Sequence, residues 1–260
     1  MKATIIISVY KNVEALRLIL ESLRCQTCQD FEIIVSEDGE YDEMRSFVEQ
    51  YDWFCEYQHL TQKDDGWRKN RALNRAVLAA NNDWLIFIDG DCVVHRRFVE
   101  MHLRYAKPNR ILLGKRVKLS KTISQRIIDG DFSYIKKWWK LFNQGCRYTD
   151  EGIFIPFLLN KPLRSTRNLT GCNMSFSRQV IISINGFDED YVRPAVGEDA
   201  DIYWRLKANG YEPFSVRNRA IVYHLYHKEN WTEQEENLAI MHRNQQNNQV
   251  CCLNGINQHF

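Results

Sequence analysis

Between Thr4 and Ile88 the chain alternates short apolar, β-branched runs with segments of helical period, and this alternation restricts its architecture more than any other feature. Thr4 to Tyr10 (TIIISVY), Phe31 to Ser36 (FEIIVS), the weaker Glu56 to Leu60 and Trp84 to Ile88 (WLIFI) have the length and composition of strands. Val13, Leu16, Ile19, Leu20 and Leu23 recur at helical spacing, as do Ala72, Leu73, Ala76, Val77 and Ala80. Asp42 to Tyr51 reads as a further helix. Strands joined by single helices imply right-handed crossovers. The expected fold class is therefore α/β, a mostly parallel twisted sheet flanked by helices on both faces. Such sheets take their ligands at the carboxyl ends of the strands. Polar clusters stand at those ends: Tyr10-Lys11-Asn12, Glu37-Asp38-Gly39 and Asp89-Gly90-Asp91.

From about Gln125 the texture changes, so residues 1–125 and residues 126–260 are expected to form two halves of one continuous domain, the second including the tail. Trp138-Trp139 and the stretch Phe154 to Leu159 show no clear period. Order returns with Gly171 to Phe176, Asn185-Gly186-Phe187 and a helix from Asp199 to Asn209 that Gly210 closes. A last helix is expected near Glu233 to His242.

A formal charge of +2 gives no reason to expect a nucleic-acid partner. The first apolar run is short and lacks a cleavage site, and no run approaches the roughly 18 residues of a membrane span. A cytoplasmic protein with reduced thiols is expected, in which sequons such as Asn168-Leu-Thr and Asn230-Trp-Thr have no role. Cys25-Gln-Thr-Cys28 has no second spaced pair, so a structural role is favoured over zinc or redox chemistry. Trp138-Trp139 with Lys136, Lys137 and Lys140 reads as a peripheral contact with the inner membrane, or as an acceptor platform or lobe core. The shortness of the segment favours the second.

Asp89-Gly90-Asp91 closes the most apolar run in the chain. Two carboxylates one residue apart reach a shared divalent cation and a ribose, and hard oxygen ligands suit Mg²⁺ or Mn²⁺. Asp-Gly is also a common turn, and Asp129-Gly130-Asp131 repeats the letters without a preceding strand. Arg68 and Arg71 lie three apart at a helix start, suited to a phosphate or to a solvated basic face. Gly197-Glu198-Asp199 precedes a helix, where Asp199 is either an N-cap or a general base oriented by Glu198. His224 and His227 follow an apolar run, and either offers a nitrogen ligand to a metal.

In order, these motifs resemble family-2 glycosyltransferases, joined by Gly171-Cys172-Asn173-Met174-Ser175-Phe176 and Asn185-Gly186-Phe187-Asp188-Glu189. The second half is similar to a segment shared with galactosyltransferases and chondroitin-type polymerases. The resemblance covers about residues 4 to 230 and implies a GT-A fold, with residues 1–125 as a nucleotide-sugar-binding half and residues 126–260 as an attached acceptor-binding lobe and tail. It implies that Asp38 binds uracil beside the Ser8 to Tyr10 backbone, and that Arg68 and Arg71 hold the nucleotide and phosphates. Asp89 would meet ribose or metal-bound water, and Asp91 and His224 would ligate Mn²⁺ or Mg²⁺. Asn173 would line the donor sugar, Asp199 would deprotonate the acceptor, and Glu198 would contact sugar hydroxyls. The implied activity is inverting transfer of a hexose or N-acetylhexosamine from a UDP-sugar to a glycan or lipid-linked glycan in bacterial surface polysaccharide synthesis. The chain departs from the pattern at Ser8, where many relatives have proline, and at Glu37-Asp38, usually Asp-Asp. A nucleotidyltransferase would want a glycine- and lysine-rich loop after the first strand, which Lys11-Asn12-Val13 is not. A non-catalytic binding protein would be free to lose Asp91, Asp199 or His224, and all three are present. The glycine fingerprints of phosphate-loop and dinucleotide enzymes do not occur.

Overall fold

The apolar runs form strands because both of their faces are covered. A computed structural model describes residues 1–155, 157, 161–166, 168–228 and 233–260, without the side chains of Tyr134 and Lys136. Pro156, Leu158 and Leu159, the sequon at Asn230, and the Lys136 side chain thus lie outside the described residues. The elements are β1 (Ala3–Val9), α1 (Val13–Arg24), β2 (Phe31–Glu37), α2 (Asp42–Gln50), β3 (Tyr57–Leu60), α3 (Lys69–Ala79) and β4 (Trp84–Asp89). Then follow β5 (Cys92–Val94), α4 (Phe98–Tyr105), β6 (Arg110–Leu113), β7 (Arg116–Lys118), α5 (Lys121–Ile128) and α6 (Ser133–Lys136). The chain continues with β8 (Met174–Ser177), α7 (Arg178–Ile182), α8 (Asp201–Ala208), β9 (Glu212–Ser215), β10 (Val222–His224) and α9 (Glu235–Gln246).

Seven strands form one sheet in the order β3-β2-β1-β4-β8-β6-β9. All neighbours are parallel except β8, which runs antiparallel to both β4 and β6. Alternate residues face opposite layers. Ile5, Ile7, Ile33, Val35, Ile86 and Ile88 pack on one side with Leu16, Ile19 and Leu20 of α1. Ile6, Ile34, Leu85 and Phe87 pack on the other with Leu73, Ala76 and Val77 of α3 and Ile202 and Leu206 of α8. Each such side chain contributes about 1.5–3 kcal/mol on burial, which is why no polar alternation appears along these strands.

The expected break at residue 125 does not divide the sheet, since β8 and β9 of the second half complete it. A smaller sheet, β5-β10-β7, lies beside it, with β10 antiparallel to β5 and parallel to β7. Its strands are three residues each, too short to show a period. Val93, Val117 and Tyr223 anchor it to Leu18 of α1 and Ile123 and Ile127 of α5. Asp129-Gly130-Asp131 is the turn after α5, with Gly130 at φ +93°. No helix among the described residues is long and apolar enough to cross a membrane.

Candidate active site

Strand register assembles the site before any side chain is considered. Ser8 lies opposite Ser36 on one side and Asp89 on the other, so the carboxyl ends of β1, β2 and β4 finish level. Between Asp89 and Asp91 the chain crosses the end of β1 so closely that a Cβ on Gly90 would stand 2.6 Å from the Ser8 carbonyl oxygen. A side chain has no room there, which accounts for the glycine between the aspartates.

A cleft of about 680 Å³ opens at this edge, and Ser8, Tyr10, Asp38, Asp89, Asp91, Glu198 and His224 all line it. Glu37 turns away: its Oε1 accepts the Tyr41 backbone N–H at 3.0 Å and its Oε2 is 2.8 Å from His59 Nε2. Asp38 Oδ1 accepts from Gln62 at 2.7 Å, and Oδ2 accepts the Arg68 backbone N–H at 2.8 Å. That second bond satisfies a donor at the start of α3 that the helix cannot. Asn12 similarly caps α1, accepting the Ala15 N–H at 3.0 Å, while lining the cleft.

The small sheet brings the histidines to Asp91. His224 pairs with Cys92 across β10 and β5, and the Leu225 N–H donates to the Asp91 carbonyl at 2.8 Å. His224 Nε2 is then 3.3 Å and His227 Nε2 3.2 Å from Asp91 Oδ2. Their donor atoms lie within 4.8 Å of one another. Burial alone would raise the Asp91 carboxyl, but the His227 hydrogen bond and the His224 charge hold it down at about 2. Burial pushes His224 below the usual histidine value, toward the neutral form that ligates metals. One carboxylate oxygen and two imidazole nitrogens converging on a point make a donor set that fits a divalent transition metal such as Mn²⁺, and two nitrogens fit Mg²⁺, which prefers oxygen, less well. The sequence left His224 and His227 as alternatives; the structure brings both together.

Asp89, Cys92 and Cys172 form a second group within 4.8 Å. Burial, followed by the Cys172 contact, drives the Cys92 thiol well up, and sulfur is a soft ligand ill matched to a hard cation. Cys25 and Cys28 join no such group among the described residues.

Four sequence expectations meet different surroundings. Asn173 is fully buried rather than lining the cleft. Its Nδ2 donates to the Lys115 and Ala220 carbonyls at 2.8 and 2.9 Å, and its Oδ1 is 3.2 Å from His102 Nε2. Arg71 is exposed and lines a separate depression of about 300 Å³ with Glu189, Asp190 and His259. Arg68 is half-buried outside the cleft wall, with Nη1 on the Trp67 carbonyl and Nη2 3.5 Å from Asp65. Asp199 is half-buried beside Glu198, does not line the cleft, and sits in a π-helical turn, Val196–Ala200, with Ala200 as the cap of α8.

That turn is held firmly from behind. A Cβ on Gly197 would overlap the Tyr191 ring at 2.2 Å. Tyr191 donates to Asp201 at 3.1 Å, and Asp201 takes Arg205 at 2.7 Å in a fully buried pair. Ala195 ahead of the turn has φ +94°, a strained conformation for any residue but glycine.

Two charged residues that no motif pointed to complete the cleft. Lys69, the first residue of α3, places Nζ 2.6 Å from Asp89 Oδ1 and 2.8 Å from Glu198 Oε2. Burial and the nearby Asp89 charge push Glu198 up to about 7, against the opposing pull of Lys69. Burial likewise raises Asp199 above an ordinary aspartate. Arg116 of β7 lines the same cleft with Nη1 3.3 Å from Cys172 Sγ. Trp139 is exposed on a 3₁₀ turn, and Trp138 is half-buried against it, so this pair is not simply lobe core.

The glycosyl transferase family 2 model matches residues 4–184, well over half of the chain. The chain belongs to glycosyl transferase family 2. A second model, described as the N-terminal domain of galactosyltransferase, matches residues 158–228 of this family-2 chain. Curated relatives include a chondroitin synthase of Pasteurella multocida, 24% identical over 91% of this chain and 26% of that protein. A chondroitin synthase of Escherichia coli is 25% identical over 85% of this chain and 34% of that protein. The chain thus spans a quarter to a third of the length of these relatives. Its fold is similar to the TarS 1-349 structure of S. aureus in complex with UDP. The TM-score there is 0.64 at 15% identity, covering 92% of this chain and 63% of that one. It is also similar to a mannosyltransferase of Pyrobaculum calidifontis in complex with GDP-Man and Mn²⁺. Here the TM-score is 0.61 at 14% identity, covering 88% and 58%. The family-2 chain has the GT-A fold, with its mostly parallel central sheet flanked by helices.

Proposed function

We propose that the chain transfers a hexose or N-acetylhexosamine from a UDP-sugar to a hydroxyl of a glycan or lipid-linked glycan, with inversion, using Mn²⁺ or Mg²⁺. The observation that carries this reading is the convergence of Asp91, His224 and His227 in the cleft that Asp38 and Asp89 also line. A divalent cation bound there supplies Lewis-acid compensation for charge on the departing diphosphate. Asp38, the carboxylate turned into the cleft, receives the base beside Ser8 and Tyr10, and Asp89 receives the ribose. Asp199, adjacent to the cleft-lining Glu198 though not itself in the cleft wall and raised by burial, takes the proton of the acceptor hydroxyl, and Lys69 holds Glu198 against the sugar site. A single base facing the anomeric carbon opposite the leaving group gives inversion. Relatives named chondroitin synthase support a glycan acceptor and, with it, a place in bacterial surface polysaccharide assembly.

Thermal shift and donor hydrolysis across UDP-, GDP- and dTDP-sugars, with Mn²⁺, Mg²⁺ or EDTA, test the reading. A metal-dependent response to one UDP-sugar, lost in Asp91→Asn, is expected. No metal-dependent response to any nucleotide sugar would sink it.

A further inference from the structure

Among the cations that line the cleft, Arg116 stands apart. Lys69 is matched by two carboxylates at 2.6 and 2.8 Å, and both histidines face Asp91. The Arg116 guanidinium hydrogen-bonds a thiol, and its ion pair with Asp89 Oδ2 is 4.0 Å long, beyond hydrogen-bonding distance. It has five N–H donors in a planar fork, and the Cys172 sulfur, a weak acceptor, takes one of them. Its side chain lines the cleft and is 28% exposed, and among the described residues its one side-chain hydrogen bond is the one to Cys172.

Strand order fixes which end of the cleft this is. Along the sheet edge come Asp38 after β2, Tyr10 after β1, Asp89 at the end of β4, then Cys172 leading into antiparallel β8. Arg116 holds Cys172, and Glu198 Oε1 lies 3.2 Å from where a Gly171 Cβ would stand. Arg116 and Glu198 thus share the wall farthest from Asp38. On the small sheet Arg116 pairs with Val222, two residues before His224, roughly 7 Å along the strand from the histidine ligand.

Resting on the transferase reading above, we propose that Arg116 is a specificity-determining residue that binds the carboxylate of an acidic substrate sugar. A carboxylate accepts the guanidinium fork bidentately, and a neutral hydroxymethyl group leaves it unpaired. The carboxylate belongs either to the transferred sugar or to the terminal sugar of the acceptor.

The test is binding of UDP, UDP-glucose and UDP-glucuronate, each with Mn²⁺, to wild type, Arg116→Gln and Arg116→Lys. Transfer to oligosaccharides ending in glucuronate or in glucose is measured beside it. If the donor is acidic, wild type binds UDP-glucuronate at least about tenfold tighter than UDP-glucose. Arg116→Gln abolishes that ratio, Arg116→Lys restores part of it, and the Kd for UDP stays within about twofold. If the acceptor is acidic, the same ratio appears in acceptor KM and not in donor binding. Unchanged UDP binding also reports that the variant is folded. Equal weakening of UDP itself would make Arg116 a diphosphate anchor and overturn the proposal, as would ratios near one throughout. A wild type that binds no UDP species removes the transferase reading, and this proposal with it.

Discussion

Replacing Lys69 with methionine tests how the cleft is charged. The side chains of Lys69, Asp89 and Glu198 are 16%, 21% and 15% exposed, so their charges are only partly screened. Methionine keeps the stem of the side chain and removes the cation. Breaking a buried pair costs about 3–5 kcal/mol when the remaining charge stays ionised. Here the cost is capped, because Glu198 already stands at about 7 and escapes by taking a proton. A loss of about 1–3 kcal/mol follows near neutral pH, a fall in Tm of several degrees for a chain of this size. The sign with pH is definite. A carboxyl raised on folding is neutral at low pH and destabilising once ionised, so the deficit grows as pH rises through neutrality. Activity should fall about 10²-fold, since Asp89 and Glu198 lose their common anchor and positioning errors near 1 Å cost that much. Melting curves at several pH values and kcat/KM for donor turnover measure both effects, and Lys69→Met with Glu198→Gln should recover stability but not activity. A single variant with kcat/KM within about threefold of wild type and an unchanged pH profile would refute the reasoning.

Three further outcomes are expected. Asp199→Asn should lower transfer about 10²–10⁴-fold while UDP-sugar binding, read by calorimetry, stays intact. Gly90→Ala brings a methyl to 2.6 Å from the Ser8 carbonyl and should cost about 1–3 kcal/mol in urea unfolding, with weaker metal-dependent donor binding. Gly197→Ala, pressed on the Tyr191 ring, should disturb the turn that carries Glu198 and Asp199, reducing kcat more than donor affinity.

The parallel sheet was legible because β1, β2 and β4 bury both faces and so write continuous apolar runs. The same runs marked the polar clusters at their ends, Asp89-Gly90-Asp91 after β4 and Glu37-Asp38 after β2, without choosing between Glu37 and Asp38. Lys69 was not, because it lies inside the basic run Arg68-Lys69-Asn70-Arg71, where spacing drew attention to the arginines. Only the start of α3 decides that Lys69 enters the cleft while Arg71 leaves it. Arg116 lies on a three-residue strand whose neighbour arrives more than a hundred residues later, and no local pattern records such a pairing. Asn173 follows its motif but spends its amide on two carbonyls and a histidine, a use that composition cannot distinguish from a cleft position.

The antiparallel strand wedged between β4 and β6 has a consequence for how the molecule is made. Four strands, β3-β2-β1-β4, are complete by Asp89, with the very apolar β4 at their open edge. Its partner β8 leaves the ribosome about 85 residues later, which at about 5–20 residues per second is roughly 4–17 s. Throughout that interval a bare row of backbone donors and acceptors is offered by Trp84–Asp89. β6 emerges earlier than β8 and belongs one place further out in the same sheet, so in the nascent chain it competes with β8 for the edge of β4.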